Sequence, residues 1–184
     1  MRNRVKEVIE LVKVIRERKL SIPQVTECIS TNKHLQSKLA KKFILNVDYS
    51  KTLQQMLTDG NYDWTDSDIS EKNFHLITEI NDDKRSVSAK LFCFGRNISS
   101  QEVISKIKKA GYRPATITEL LVLGKNYPKI QKKFSVVALG SVWHNAGGFR
   151  YVPVLGFSNR GRGVVLSWYD GRWSDHFYFL AINK

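Results

Sequence analysis

Residues 99–124 read SSQEVISKIKKAGYRPATITELLVLG, and this stretch predicts two consecutive helices. Each helix opens with a hydroxyl residue three positions before a glutamate, Ser99 with Glu102 and Thr116 with Glu119. This spacing is typical of a capping box, in which both side chains accept hydrogen bonds from backbone N–H groups at the start of a helix. Aliphatic residues recur between the caps at three- and four-residue spacing, so each helix has one apolar face to bury.

Glycines mark the ends of both predicted helices, because glycine readily adopts the left-handed conformation that follows many helices. We therefore expect these ends at Gly111 and Gly124. A shorter helix is expected earlier in the chain, capped by Ser50 and ending near Gly60. Its apolar positions are Leu53, Met56 and Leu57.

Strand-like runs lie on both sides of the helical stretch. Residues 43–47 and 87–93 alternate in the period of two that a strand requires, and we expect the second run to cross the centre of a sheet. Asp170-Gly171 stands between two aromatic runs and predicts a tight hairpin turn. This mixture of strand and helix blocks indicates an α+β domain. The four C-terminal strands are expected at residues 134–143, 150–155, 164–169 and 177–182.

A basic helical segment precedes this domain. Its first helix places five aliphatic residues on one face, and two shorter helices follow in the order of a helix-turn-helix. The sequence therefore predicts a segment for oligomerisation or docking at residues 1–43 and a ligand-binding domain at residues 44–184. The five aliphatic residues are Val5, Val8, Ile9, Val12 and Ile15.

The chain carries 30 Lys and Arg against 17 Asp and Glu, a net charge of +13. Residues 99–184 alone hold 13 basic residues against 4 acidic ones. Such a field attracts polyanions, including nucleic acid. Two interpretations stay open: a solvated lysine-rich surface, or a nucleic-acid-binding protein that uses the N-terminal helices together with the basic C-terminal face. The N-terminal side chains of the second interpretation are Lys33, Lys38, Lys41 and Lys42.

Several classes of chemistry leave no pattern in the sequence. The four histidines are scattered without the spacing of metal ligands, and no segment has the GxSxG form of a serine nucleophile. The acidic stretch at residues 61–68 lacks the glycine and the glutamate that a calcium-binding EF-hand loop requires. We therefore expect no enzymatic activity, no bound metal and no cofactor.

The cellular setting is expected to be cytoplasmic, without membrane attachment. The chain has no apolar run near the ~18 residues that would span a bilayer. Its two cysteines, Cys28 and Cys93, fall in different predicted units, which favours a reduced environment.

Aromatic and polar residues crowd into residues 143–178, in the mixture that is typical of protein recognition surfaces. Aromatic rings supply rigid contact area, and arginine, asparagine, serine and aspartate supply hydrogen bonds around them. The alternative interpretation is that Trp143, Trp168 and Trp173 are core residues. The expected partner is a protein or another macromolecular ligand, with self-association as a homo-oligomer and nucleic acid as the further partners to test.

Six motifs are spread over the predicted domain. They are VDYSKTL at 47–53, NYDW at 61–64, RPATITELL at 113–121, VVALGSVW at 136–143, RYVPVL at 150–155 and FYFLAINK at 177–184. Together they resemble a group of small bacterial proteins. Their C-terminal part is similar to that of the C-type-lectin-like variable proteins, which are diversified by reverse-transcriptase retroelements. The resemblance covers roughly residues 44–184.

The resemblance implies a C-type-lectin-like fold, with two helices and a small sheet that support a ligand-facing C-terminal surface. It also implies binding without catalysis, through side chains displayed between framework residues. The implied framework is Trp143, Val152, Pro153, Leu166, Phe179, Leu180 and Ala181. The implied display positions are Ser158, Asn159, Arg160, Ser167, Tyr169, Asp170, Arg172, Ser174, Asp175 and His176.

Overall fold

A computed structural model describes residues 42–74 and 84–184, which belong to one compact unit, Ala40–Lys184. The helices expected in the N-terminal segment lie outside the described residues, as do Lys33, Lys38 and Lys41. None of the helices described is long and apolar enough to cross a membrane.

The described residues form both helices and strands, so the α+β class is confirmed. The helices are α1 (Leu53–Gly60), α2 (Ser100–Lys109), α3 (Ile117–Asn126) and α4 (Pro128–Gln131). The strands are β1 (Lys42–Asp48), β2 (Trp64–Thr65), β3 (Lys84–Phe92), β4 (Ile98–Ser99), β5 (Tyr112–Pro114), β6 (Ser135–Val137), β7 (Trp143–His144), β8 (Arg150–Ser158), β9 (Gly161–Trp168), β10 (Arg172–Trp173) and β11 (Phe177–Asn183).

Nine strands form one mixed sheet in the order β1-β3-β11-β6-β8-β9-β2, with β5 beside β11 and β7 beside β8. Strand β11 is parallel to β6, and β2 is parallel to β9, while the other pairs are antiparallel. Strands β4 and β10 form a separate two-stranded ribbon. Strand β3 lies next to the edge strand β1, so the expectation that it crosses the centre of the sheet is wrong.

Alternating side chains divide the core into two layers, one on each face of the sheet. Helices α1 and α3 cover the first face, where Leu120 and Leu180 are fully buried. Helix α2 and the β4–β10 ribbon cover the second face, where Val103 packs in the same cluster as Phe179. Because the side chains of a strand alternate between faces, β8 contributes Leu155 to the first layer and Val154 to the second.

The helix caps differ in part from those expected. Thr52 caps α1, not Ser50: the Thr52 hydroxyl accepts from the Gln55 N–H at 3.2 Å, and the Gln55 side chain accepts from the Thr52 N–H at 2.9 Å. The Ser50 hydroxyl instead donates to Asp48 at 2.6 Å. The Ser99 hydroxyl caps α2.

The second half of the α2 capping box does not form, because the Glu102 carboxylate pairs with Arg96. Helix α3 has the expected capping box of Thr116 and Glu119. It continues past Gly124, which is therefore not its end.

Two C-terminal strand predictions also need correction. The run expected at residues 134–143 is interrupted, because only β6 and β7 form and the residues between them bend away. Asp170-Gly171 is a turn, but it does not join a hairpin, since β10 pairs with β4 and not with β9. The hairpin in this region is β8–β9, which turns at Asn159 and Arg160.

Candidate functional site

The ten expected display positions fall into two groups, one at the turn before β9 and one that begins near the C-terminal end of β9 and continues along the chain toward β11. Ser158, Asn159 and Arg160 lie at the turn of the β8–β9 hairpin, and Ser167 lies near the C-terminal end of β9. The remaining six follow β9 in the chain up to His176. Ser167 comes seven positions after Arg160, which at the usual rise of a strand is about 23 Å. The expected positions therefore do not form one continuous surface.

Tyr169 is buried, although the resemblance implied an exposed display position. Its side chain is only 7% exposed, and the guanidinium of Arg150 lies 4.6 Å from the centre of its ring. Ser167 and Ser174 are half-buried. The exposed members of the set are Ser158, Asn159, Arg160, Asp170, Arg172, Asp175 and His176.

The implied framework positions are more uniformly inside the protein. Five of the seven are buried, whereas Trp143 and Leu166 are half-buried. The five buried positions are Val152, Pro153, Phe179, Leu180 and Ala181.

Three aromatic residues stand in register across β7, β8 and β9. Trp143 is the cross-strand partner of Tyr151, and Tyr151 is the partner of Trp168. Directly opposed residues of antiparallel strands point to the same face of a sheet, so the three rings form a row. The Trp143 and Tyr151 rings lie 5.7 Å apart, and Trp168 remains 52% exposed.

Phe149, two residues before Tyr151 in the chain, adds a second exposed ring to that of Trp168. It precedes β8 and is 54% exposed. The Asn145 side chain fixes its turn by accepting from the N–H groups of Gly147 and Phe149, each at 3.0 Å. We call Trp143, Phe149, Tyr151 and Trp168 the sheet-end surface.

The buried side chain of Ser100 binds the loop that follows β9 and begins at Tyr169. The Ser100 hydroxyl donates to the Tyr169 carbonyl at 2.6 Å and accepts from the Trp173 indole N–H at 2.8 Å. Trp173 is buried, so of the three tryptophans named as alternative core residues it alone lies fully inside. These bonds attach the loop to the first turn of α2.

Exposed polar display positions lie within this loop. Asp170 pairs with Arg150, and the Arg172 guanidinium donates to the Asn97 carbonyl at 3.1 Å. His176 stacks on Phe177 with 4.8 Å between ring centres. Asp170 thus lies next to the sheet-end surface through Arg150, the residue before Tyr151, whereas Arg172 lies in the β4–β10 ribbon on the second face and His176 directly precedes β11.

The other three display positions belong to the hairpin turn, where a second group of aromatic and basic side chains gathers. Phe157 is 51% exposed, and the ammonium of Lys132 lies 5.9 Å from the centre of its ring. On the other side of the turn the guanidinium of Arg160 lies 4.1 Å from the centre of the Trp64 ring. We call Trp64, Lys129, Lys132, Lys133, Phe157 and Arg160 the hairpin patch.

Buried hydrogen bonds fix the base of the hairpin. The Gln131 amide donates to the carbonyls of Gly156 at 2.7 Å and Gly163 at 2.6 Å, so it joins α4 to both strands. The Arg162 guanidinium donates to the Gly124 carbonyl at 2.7 Å and to the Gly60 carbonyl at 3.1 Å. Arg162 therefore uses its guanidinium to bind carbonyls in the last turns of α1 and α3 and is not free to bind a ligand.

A buried ion pair links α3 to the strands. The Glu119 carboxylate is fully buried and accepts from both terminal nitrogens of Arg113, from the Tyr49 hydroxyl at 2.8 Å and from the Thr116 N–H at 2.7 Å. Burial, with the nearby Glu119 charge, raises the pKa of Tyr49 to about 12. All these groups are satisfied by each other, which is typical of a structural cluster.

Of the lysines named for nucleic-acid binding, Lys42 is described, and it is exposed at the start of β1. It is the cross-strand partner of Lys90 in β3. Burial, and secondarily the Lys42 charge, lowers the pKa of Lys90. Within residues 42–74 and 84–184, no group of three or more His, Cys, Asp or Glu side chains is placed to hold a metal ion.

Comparison with known proteins adds no relative. No family model matches the chain, and neither a curated protein nor a solved structure matches it. Function must therefore be argued from the residues themselves.

Proposed function

We propose that this chain is a non-catalytic ligand-binding protein that recognises a macromolecular partner through the sheet-end surface. The observation that carries this proposal is the row of Trp143, Tyr151 and Trp168 in register on one face, with Trp168 52% exposed. The finer fold proposed for the domain is C-type-lectin-like, in accord with the sequence motifs and with a C-terminal third that supplies the surface.

Exposed aromatic rings suit recognition of a large partner. A tryptophan or phenylalanine ring buries a large area on binding and has few torsions to immobilise. Binding energy at protein interfaces commonly concentrates on such anchors. Trp168 and Phe149 are each more than half exposed in the isolated chain, so both have contact area left to give to a partner.

The surroundings of the rings also fit an interface. The sheet holds Trp143 and Tyr151, while Asn145 fixes the turn before Phe149, so little ordering remains to be done on binding. Arg150, which adjoins Tyr151 in β8, and its ion-pair partner Asp170 add polar groups beside the rings, as interfaces usually do around their aromatic anchors.

The test is a capture experiment with matched surface variants. The double variant Trp168→Ser with Phe149→Ser removes two anchors, whereas Ile44→Ser removes an equally exposed apolar side chain from β1. We expect immobilised wild-type protein and the Ile44→Ser variant to retain the same partner from an extract of the source cells, and the double variant to lose it. Equal retention by all three proteins would show that the sheet-end surface is not the binding site.

A second readout uses Trp168 itself. Its indole is open to solvent, so iodide should quench part of the tryptophan fluorescence of the free protein. Addition of the captured partner should protect that fraction, and the Trp168→Phe variant should show no such protected fraction. Quenching that is unchanged by a saturating partner would contradict the proposal.

A further inference from the structure

We infer that the hairpin patch is a binding site for single-stranded nucleic acid. This inference goes beyond the proposed function, because it concerns the opposite end of β8 and β9 and a different class of ligand. It stands on three features of the patch: unpaired cations, an exposed ring among them, and a rigid support.

The first feature is a group of basic side chains without acidic partners. Lys129, Lys132, Lys133 and Arg160 are all exposed, and none forms an ion pair with a carboxylate of the described residues. The other cations of residues 99–184 include several that are so paired, such as Arg113 and Arg150. These four cations outnumber the Asp63 carboxylate, which lies at the same hairpin, so the patch favours an anionic ligand.

The second feature is Phe157, which is 51% exposed between these cations. A nucleic-acid base that stacks on this ring would leave its backbone phosphates near the Lys132 ammonium, which lies 5.9 Å from the ring centre. Proteins that bind single strands commonly combine a stacking ring with a basic groove that follows the phosphates. Bases in a duplex are already stacked on each other, so this arrangement favours an unpaired strand.

Arg160 offers a second planar group. The central carbon of its guanidinium lies over Trp64, 4.1 Å from the ring centre. Gly163 makes this possible, because a Cβ atom at that position would overlap the Trp64 indole. Arginine planes also stack on unpaired bases, and the charge remains available to a phosphate.

The third feature is the rigid base beneath the patch. Gln131 is 1% exposed and joins α4 to the carbonyls of Gly156 and Gly163, which fixes Lys132 beside Phe157. The Arg162 N–H donates to the Asp63 carboxylate at 2.6 Å, which holds the acidic neighbour of the hairpin in place. The patch is therefore ordered before a ligand arrives, which lowers the entropic cost of binding.

The experiment is a fluorescence-anisotropy titration of the full chain with a labelled oligothymidine on the order of 15 nucleotides, the upper range of common single-strand sites. We expect binding that weakens with salt, with a logarithmic slope of up to about −3 for four phosphate contacts. The Phe157→Ala variant should bind roughly 10-fold more weakly, since loss of one stacked base costs about this much or more. The same strand paired with oligoadenosine should bind more weakly than the single strand.

Charge-matched variants separate the site from general attraction. Lys132→Gln with Lys133→Gln removes two charges from the patch and should reduce the salt slope by about 1.4. Lys108→Gln with Lys109→Gln removes two exposed charges at the end of α2 and should leave both affinity and slope close to wild type. All the substituted side chains are exposed, and thermal melting checks that each variant is folded.

Several outcomes would overturn the inference. Equal losses in the two lysine pairs would assign the binding to overall charge, and unchanged affinity in Phe157→Ala would remove the stacking role. Absence of oligothymidine binding at low salt would remove the site altogether. None of these outcomes bears on the sheet-end surface, whose Trp168→Ser with Phe149→Ser variant should bind the oligonucleotide as wild type does.

Discussion

Replacement of Glu119 by glutamine should destabilise the domain far more than the same replacement of Glu102. Both glutamates occupy the third position of a helix, and both pair with an arginine. They differ in burial: the Glu119 side chain is 0% exposed, whereas that of Glu102 is 38% exposed. The pair is therefore a matched test of how much burial adds to an ion pair.

The magnitude follows from the partners of Glu119. Glutamine keeps one acceptor oxygen but turns an amide donor toward groups that themselves donate, among them Arg113 and Tyr49. Loss of one partner of a buried ion pair commonly costs 3–5 kcal/mol. Arg113 is 39% exposed and can be rehydrated, so we expect the lower end, about 3 kcal/mol. An exposed pair such as Glu102 with Arg96 contributes about 0.2–1 kcal/mol.

The assay is urea denaturation of wild type and both variants at neutral pH, with thermal melting as a second measure. A loss of about 3 kcal/mol should lower the melting temperature of a domain of this size by roughly 6–12 °C. We expect a change of at most about 4 °C for Glu102→Gln on the same scale. Equal losses in the two variants would refute the argument that burial of the Glu119 carboxylate determines its contribution.

Two further predictions concern close packing and pH. Gly163→Ala should displace the Trp64 indole and lower the free energy of unfolding by about 1–3 kcal/mol. Its cross-strand partner Gly156 has open space beside it, so Gly156→Ala should cause no loss of stability. Urea denaturation followed by tryptophan emission measures both variants, and equal stability would contradict the overlap of a Cβ atom at position 163 with Trp64. The pKa of Tyr49 in the folded protein is raised to about 12, above its unfolded value, so the stability it contributes is complete below pH 10 and is lost as pH rises toward 12. The free energy of unfolding of Tyr49→Phe should therefore decline less between pH 9 and pH 11 than that of wild type. An identical decline in both proteins would show that Tyr49 does not titrate in this range.

The sequence predicted elements best where local signals act alone. The capping box of Thr116 and Glu119 starts α3 as expected, because its hydrogen bonds join residues three apart. The predicted end of α3 at Gly124 is wrong, because the helix continues to Asn126 and Gly124 packs against the Tyr62 hydroxyl. Gly124 allows close packing between α3 and Tyr62, and no local sequence pattern distinguishes a glycine in that role from a glycine that ends a helix.

Asp170-Gly171 illustrates a strong local signal that tertiary pairing overrides. The dipeptide does form a turn, yet Trp173 is drawn to α2 by burial and by its hydrogen bond to Ser100. Strand β10 consequently pairs with β4, which lies far earlier in the chain: Arg172 lies opposite Ser99, 73 residues away in sequence, and Trp173 lies opposite Ile98. A turn signal identifies a reversal of the chain, but it does not identify the strand that follows.

The sheet-end surface depends on a register that one turn determines. Ser158 pairs with Gly161, so every pair along this antiparallel hairpin keeps the same sum of residue numbers, and Tyr151 must lie opposite Trp168. Once the turn is placed at Asn159 and Arg160, the pairing of Tyr151 with Trp168 follows from the sequence. A slip of one residue would move Trp168 opposite Val152 or Arg150 and break the aromatic row. The positive φ of 92° at Gly161 favours glycine there, so the backbone conformation of this turn helps to fix which aromatic side chains the sheet presents together.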